Sequence, residues 1–197
     1  MKVPKYLQFI FIVALFFAAC QADYIPKPKA YHRLILPQKK YVPFGNEGCP
    51  FTFEIPIYAS TTRDTLFFGQ APSDPCWMDI SLNSMKGKIH MSYKHIGEQN
   101  DLAKLLEDTY KLTSKHVRKA DFIDEQVFHN NNAHGLLYDV GGDAASPIQF
   151  FVTDSTEHFL RGALYFQTPP NYDSILPVVD FIKEDVLHLM KTFEWEE

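Results

Sequence analysis

The first twenty residues, MKVPKYLQFIFIVALFFAAC, decide which part of the chain folds and where. Lys2 and Lys5 form a short positive start, and Tyr6 to Ala19 is apolar apart from Gln8. Ala18 and Ala19 are small, and Cys20 follows at once. Such a run is the length of a signal-peptide core; a spanning helix needs about 20 apolar residues. A lipoprotein signal peptide over 1–19, cut before Cys20, explains the cysteine's place, although Phe17 stands where leucine is usual. A plain secretory signal, or an anchor that is kept, leaves it to chance. The expected mature protein starts at Cys20, lipidated there, and lipid chains contribute about 0.8 kcal/mol per buried methylene. A soluble body tethered to a membrane is the expectation.

Loss of Lys2 and Lys5 leaves 17 basic residues against 24 acidic ones and moves the net charge from −5 to −7. An acidic body does not suit a nucleic-acid surface. With 46% apolar residues and seventeen phenylalanines, the chain has ample material for a core. After Cys20 only Cys49 and Cys76 remain, an even count that in an exported protein points to a disulfide.

Residues 20–43 carry Pro26, Pro28, Pro37 and Pro43 and read as an extended tether. Leu34, Ile35 and Leu36 are apolar enough for part of it to pack on the body, residues 44–197. Period-two alternation marks strands around Phe51, Phe53 and Ile55, around Ile80 and Leu82, and in KGKIHMSYKHI. Asn100 is placed to cap a helix starting at Asp101, with Leu102, Leu105, Leu106 and Thr109 on its apolar side. ADFIDEQVF, GLLYDV, SPIQFFVTD and HFLRGALYF read as successive strands. A long C-terminal helix follows, capped by Asp173 or Ser174, with Pro177 in its first turn. Its stripe of Ile175, Val178, Val179, Ile182, Val186, Leu189, Met190 and Phe193 is core, and Asp180, Lys183, Glu184 and Asp185 form the other side. The fold class is α+β, an antiparallel sheet covered by helices, with an order of elements similar to the PsbP/Mog1 type of fold.

Chemistry is sparse. Asp154, Ser155 and His158 supply the residue types of a hydrolase, but residues three apart across a strand–turn–strand are poorly placed, and no G-x-S-x-G elbow is present. Asp154, Ser155 and Thr156 suit a hairpin turn equally well. The eight histidines form no H-E-x-x-H or C-x-x-C site, and nothing calls for a metal or another cofactor. Arg161, if buried, needs an acidic partner, with Asp154 and Glu184 as candidates. Tyr165, Tyr172 and Trp77 are candidate aromatic contacts for a glycan or peptide. The exposed sides of Asp154, Ser155, Thr156, His158 and Arg161, with the loop containing Asn171 and Tyr172, are the candidate interface.

The segment AASPIQFFVTDSTEHFLRGALYFQTPPNYDSILPVVDFIKEDVLHLM closely resembles the C-terminal half of the gliding-motility lipoprotein GldD family of Bacteroidetes. YIPKPKAYHRLILP, CPFTFEIP and IHMSYKHI resemble its N-terminal half. The resemblance implies a cell-envelope lipoprotein, its Cys20 carrying palmitate or a similar acyl chain, needed for gliding and associated with type IX protein secretion. It implies other motility and secretion components as partners and brings no catalytic residue. Asp23 is the sole acid just after Cys20, and the acid-rich export signal of many surface lipoproteins of this group is missing. The periplasmic face of the outer membrane is therefore the expected location.

Overall fold

The computed structural model describes residues 33–45, 48–63, 74–130 and 132–196; the signal segment and Cys20 lie outside them. Ile35 to Glu197 form one compact unit. Ten strands and two helices are described. They are β1 (Tyr41–Gly45), β2 (Phe51–Pro56), β3 (Ser60–Arg63), β4 (Met78–Leu82), β5 (Gly87–His95), α1 (Leu102–Ser114), β6 (Ala120–His129), β7 (His134–Gly142), β8 (Ile148–Thr153), β9 (His158–Phe166), α2 (Tyr172–Thr192) and β10 (Glu194–Trp195). Strands β3-β4-β5-β9-β8-β7-β6 form one antiparallel sheet, and β1-β2-β10 form a second, smaller one. The protein is α+β with a long C-terminal helix, as its sequence predicts. Strand β1 begins at Tyr41, inside the segment read as tether.

The alternation in sequence becomes two faces. On one, Ile80, Ile89, Met91, Phe150, Leu160 and Leu164 pack against Val179, Ile182, Val186 and Met190 of α2 and against Phe51, Phe53 and Phe193. On the other, Tyr138, Val140, Phe151 and Phe159 pack with Leu105 of α1. Strand β8 lies between the two helices, and all six of its residues are buried, which accounts for its near-continuous apolar run. Gly162 on β9 is where the Phe150 ring crosses: a Cβ there would fall 2.2 Å from the ring. The Cys49–Cys76 disulfide joins the residues just before β2 and β4, with Cα atoms 5.6 Å apart.

Both helix starts differ from the sequence-based expectation. Asp101, not Asn100, is the cap of α1, while Asn100 donates its side-chain amide to His95 O at 3.2 Å. Asn171 caps α2, accepting from Ser174 N at 3.3 Å, and Asp143 accepts from Tyr172 N at 3.0 Å. An Asn side chain one residue before the helix and a carboxylate from the β7–β8 connection thus serve two of the amides that every helix start leaves open. Pro177 therefore falls in the second turn of α2, where it removes a ladder bond.

Candidate functional site

Strands β8 and β9 meet in the turn Asp154–Glu157, and its polar residues mostly serve the backbone. Asp154 Oδ1 accepts from the amides of Thr156 (2.9 Å), Glu157 (3.0 Å) and His158 (2.9 Å). Burial works to raise the carboxyl's pKa, but the amides of His158, Thr156 and Glu157 outweigh it and hold Asp154 below the usual carboxylate range. Thr153 Oγ1 donates to His158 O at 2.6 Å and accepts from Ser155 N at 2.9 Å. Ser155 sits at φ 70°, in the left-handed region.

This arrangement does not assemble the hydrolase drawn from Asp154, Ser155 and His158. His158 Nδ1 bonds the Tyr93 hydroxyl at 2.7 Å, and its ring stacks on Trp195, centroids 4.9 Å apart. Burial, reinforced by the charges of Asp74, Asp154 and Glu157, pushes the Tyr93 hydroxyl up to about 12. Ser155 Oγ instead meets His134 Nε2 at 2.7 Å. Among the described residues no carboxylate bonds His134, and the three turn amides that an oxyanion hole would need are held by Asp154. Nor is there a metal cluster: no three His, Cys, Asp or Glu gather among the described residues.

Arg161 is half-buried, and its partner is neutral. Its Nη2 donates to Gln149 Oε1 at 2.6 Å, in place of the expected Asp154 or Glu184. Thr113 of α1 donates to the same oxygen at 3.3 Å. Arg161 Nε and Gln149 Nε2 are buried without partners, and burial lowers the guanidinium's pKa. An incompletely satisfied buried cation is better replaced by an apolar chain of like volume than truncated. Arg161→Ala should therefore lower the unfolding free energy by about 1–3 kcal/mol, while Arg161→Met should cost about 1 kcal/mol or less. Urea melts of the two variants check this, and equal losses would disprove it.

The three aromatic candidates lie in separate surroundings. Trp77 gives its indole N–H to Tyr93 O at 2.8 Å, Tyr165 stands 5.6 Å from His90, and Tyr172 meets Phe122 edge-on at 6.3 Å. An apolar groove of about 590 Å³ contains none of them. It lies between α1 and β6–β8, and Leu102, Leu106, Val127, Leu136, Phe151, His134 and Ser155 are among the residues that line it.

The most highly built polar cluster is one that sequence reasoning missed. Asp185 of α2, placed by pattern on the polar side, is only 4% exposed. Its Oδ1 accepts from Lys39 Nζ (2.9 Å) and the Tyr41 hydroxyl (2.9 Å), and its Oδ2 from the Tyr58 hydroxyl (2.5 Å). Lys39 also donates to Phe181 O at 2.6 Å, pairs with Glu184 at 3.1 Å and lies 4.0 Å over the Phe181 ring. Tyr41 stacks on His188 at 3.6 Å, and His188 bonds Glu54 at 2.6 Å. Ile35, by contrast, is 92% exposed. The chain entering the body is thus gripped by a buried carboxylate near residue 39; Ile35 takes no part in that grip. The one signal in the sequence was position: Asp185 directly precedes Val186 of the buried stripe, at its border.

The family model for the gliding motility lipoprotein GldD matches residues 21–195, and the chain belongs to that family. It is accordingly a gliding-motility lipoprotein, anchored in the cell envelope, and no helix among its described residues is long and apolar enough to cross a membrane. A comparison with curated proteins finds no match. Among solved structures the chain is similar to cyanobacterial PsbP (CyanoP) from Synechocystis sp. PCC 6803, at 10% identity and a TM-score of 0.49, over 81% of this chain and 95% of that one. A likeness at that level carries no argument about what the protein does.

Proposed function

We propose that this protein is a non-catalytic scaffold or assembly factor for gliding motility and the type IX protein secretion linked to it. In this reading Cys20 carries the lipid, the body stands on the periplasmic face of the outer membrane, and other motility and secretion proteins bind it. The supporting observation is the grip of Asp185 on Lys39, Tyr41 and Tyr58, which fastens the anchored end of the chain to the longest helix. The backbone keeps the domain attached in any case; the clamp fixes where the chain leaves the body, so that a pull from partners does not first peel β1 from its sheet. A clean deletion should abolish spreading and secretion together, and a gene carrying Ser155→Ala should restore both. Normal motility in the deletion would sink the reading.

One observation favours an envelope hydrolase as the second reading: the 2.7 Å contact between Ser155 Oγ and His134 Nε2 beside the apolar groove. In that case Ser155→Ala fails to restore motility while the protein remains at its normal level.

A further inference from the structure

We propose that the outer edge of β6 docks an extended segment of a partner protein, apolar and basic in alternation, which adds one more strand to the large sheet. The inference rests on the scaffold reading and names the chemistry of its partner. The two edges of the sheet differ. Strand β3 at one edge has four residues, whereas β6 at the other has ten and pairs only with β7 among the described residues. Soluble proteins usually shorten or cover such an edge, because its free N–H and C=O groups invite a further strand.

The register shows which groups are free. Consecutive residues of an antiparallel strand turn their backbone polar groups to opposite sides. Val140 donates to Pro147 O at 2.8 Å, toward β8, so Leu137 and Asp139 turn theirs toward β6. Their partners Gln126 and Asp124 face inward, and Ile123, Glu125 and Val127 present N–H and C=O to the open side. The same three side chains share a sheet face with Tyr138 and Leu136, beside the apolar groove. Val127 is 77% exposed and lines that groove with Leu106. An added strand would thus find a hydrogen-bonding edge and apolar surface next to each other.

Charge selects the occupant. Asp121, Asp124 and Glu125 lie along the edge strand. Self-pairing of β6 about a two-fold axis at its middle sets Asp124 or Glu125 against its own copy, and directly opposed like charges destabilise a ladder. A strand with its apolar side chains on the groove face and lysine or arginine opposite Asp124 gains where that self-pairing loses.

The test uses the purified full-length lipoprotein in detergent and two ten-residue peptides, one alternating valine with lysine and one alternating valine with glutamate. The lysine peptide should bind about three-fold tighter or better, as expected when a charge pair at Asp124 replaces a like-charge contact there. Methylating alternate backbone nitrogens of that peptide should abolish binding. Val127→Pro, which removes an outward N–H and leaves the β7 ladder alone, should do the same, while Val127→Thr should keep binding. Should Val127→Pro not fold, the methylated peptide decides by itself. Equal affinity for both peptides, binding that survives methylation, or self-association through β6 in sedimentation would each overturn the proposal. The scaffold reading stands or falls separately, on the phenotype of the deletion.

Discussion

Replacing Asp185 with alanine is expected to lower the unfolding free energy by about 3 kcal/mol, the low end for breaking a buried charge pair. The low end applies because Lys39 keeps Glu184 at 3.1 Å and the Phe181 carbonyl at 2.6 Å. For a body of this size that corresponds to a drop in Tm of roughly 6–12 °C. Asp185→Asn keeps an acceptor but not the charge, so its loss should be smaller. The two tyrosines add a pH signature. Burial first, then the bond to Asp185, pushes the hydroxyls of Tyr41 and Tyr58 well above their ordinary 10.0. Above that value the unfolded chain gives up protons that the folded chain retains, so unfolding becomes easier as pH rises. The stabilisation is complete below pH 10.0 and drains away above it. In Asp185→Ala burial remains but the bond is gone, so the alkaline loss should be shallower than in the parent. Denaturant melts at about pH 8 and about pH 11 measure both effects. The variant should also become sensitive to trypsin at Lys39 and Lys40, since the segment loses its grip. An unchanged Tm with unchanged cleavage would remove the clamp from the account of how the body is attached.

That clamp was illegible in sequence for a definite reason. Asp185 lies 146 residues from Lys39, 144 from Tyr41 and 127 from Tyr58, and helical periodicity only says that it borders the stripe. Periodicity reports which face of an element is apolar; it cannot say that a polar residue at the border has three donors arriving from β1, the segment before it and the β2–β3 turn. The same limit explains Arg161. Its burial could be suspected from its neighbours on β9, but a neutral glutamine on β8 as partner breaks the habit of seeking an acid. Where order is local, sequence pattern is enough. Alternation marks β2, β4 and β5, and the stripe of α2 is buried from Val179 to Phe193. Ends of elements were weaker. By pattern Asn171 belongs to the loop before the helix, since Asp173 and Ser174 also suit a cap, and only the register of the helix decides among them. Strand β10 has two residues, too short for any pattern, and finds its place by pairing Trp195 with Phe51. At the candidate site, proximity in sequence pairs Ser155 with His158, whereas the strand register brings His134 to it from β7.

Removing the Cys49–Cys76 bridge is expected to cost about 3.5 kcal/mol, from the chain entropy of a loop spanning 27 residues. The double variant Cys49→Ala with Cys76→Ala is the cleaner experiment. Both sulfurs are buried, so a serine would bring in the separate penalty of a buried hydroxyl. The bridge encloses β2 and β3, and β3 is the short edge of the large sheet, held there only by β4 among the described residues. Without the cross-link the residues that place β2 over the main core must be ordered from a freer chain. The effect should therefore lie mostly in the unfolded state: the denaturant slope should rise as the unfolded chain expands, while the folded spectrum stays the same. A stability loss with an unchanged slope would instead mean that the bridge strains or shapes the native packing. Material made in a reducing cytoplasm should melt about 7–14 °C below the same chain oxidised, a gap that closes on oxidation. If reduced and oxidised protein melt alike, the bridge contributes nothing to the body, and the case for an oxidising compartment rests on the signal peptide alone.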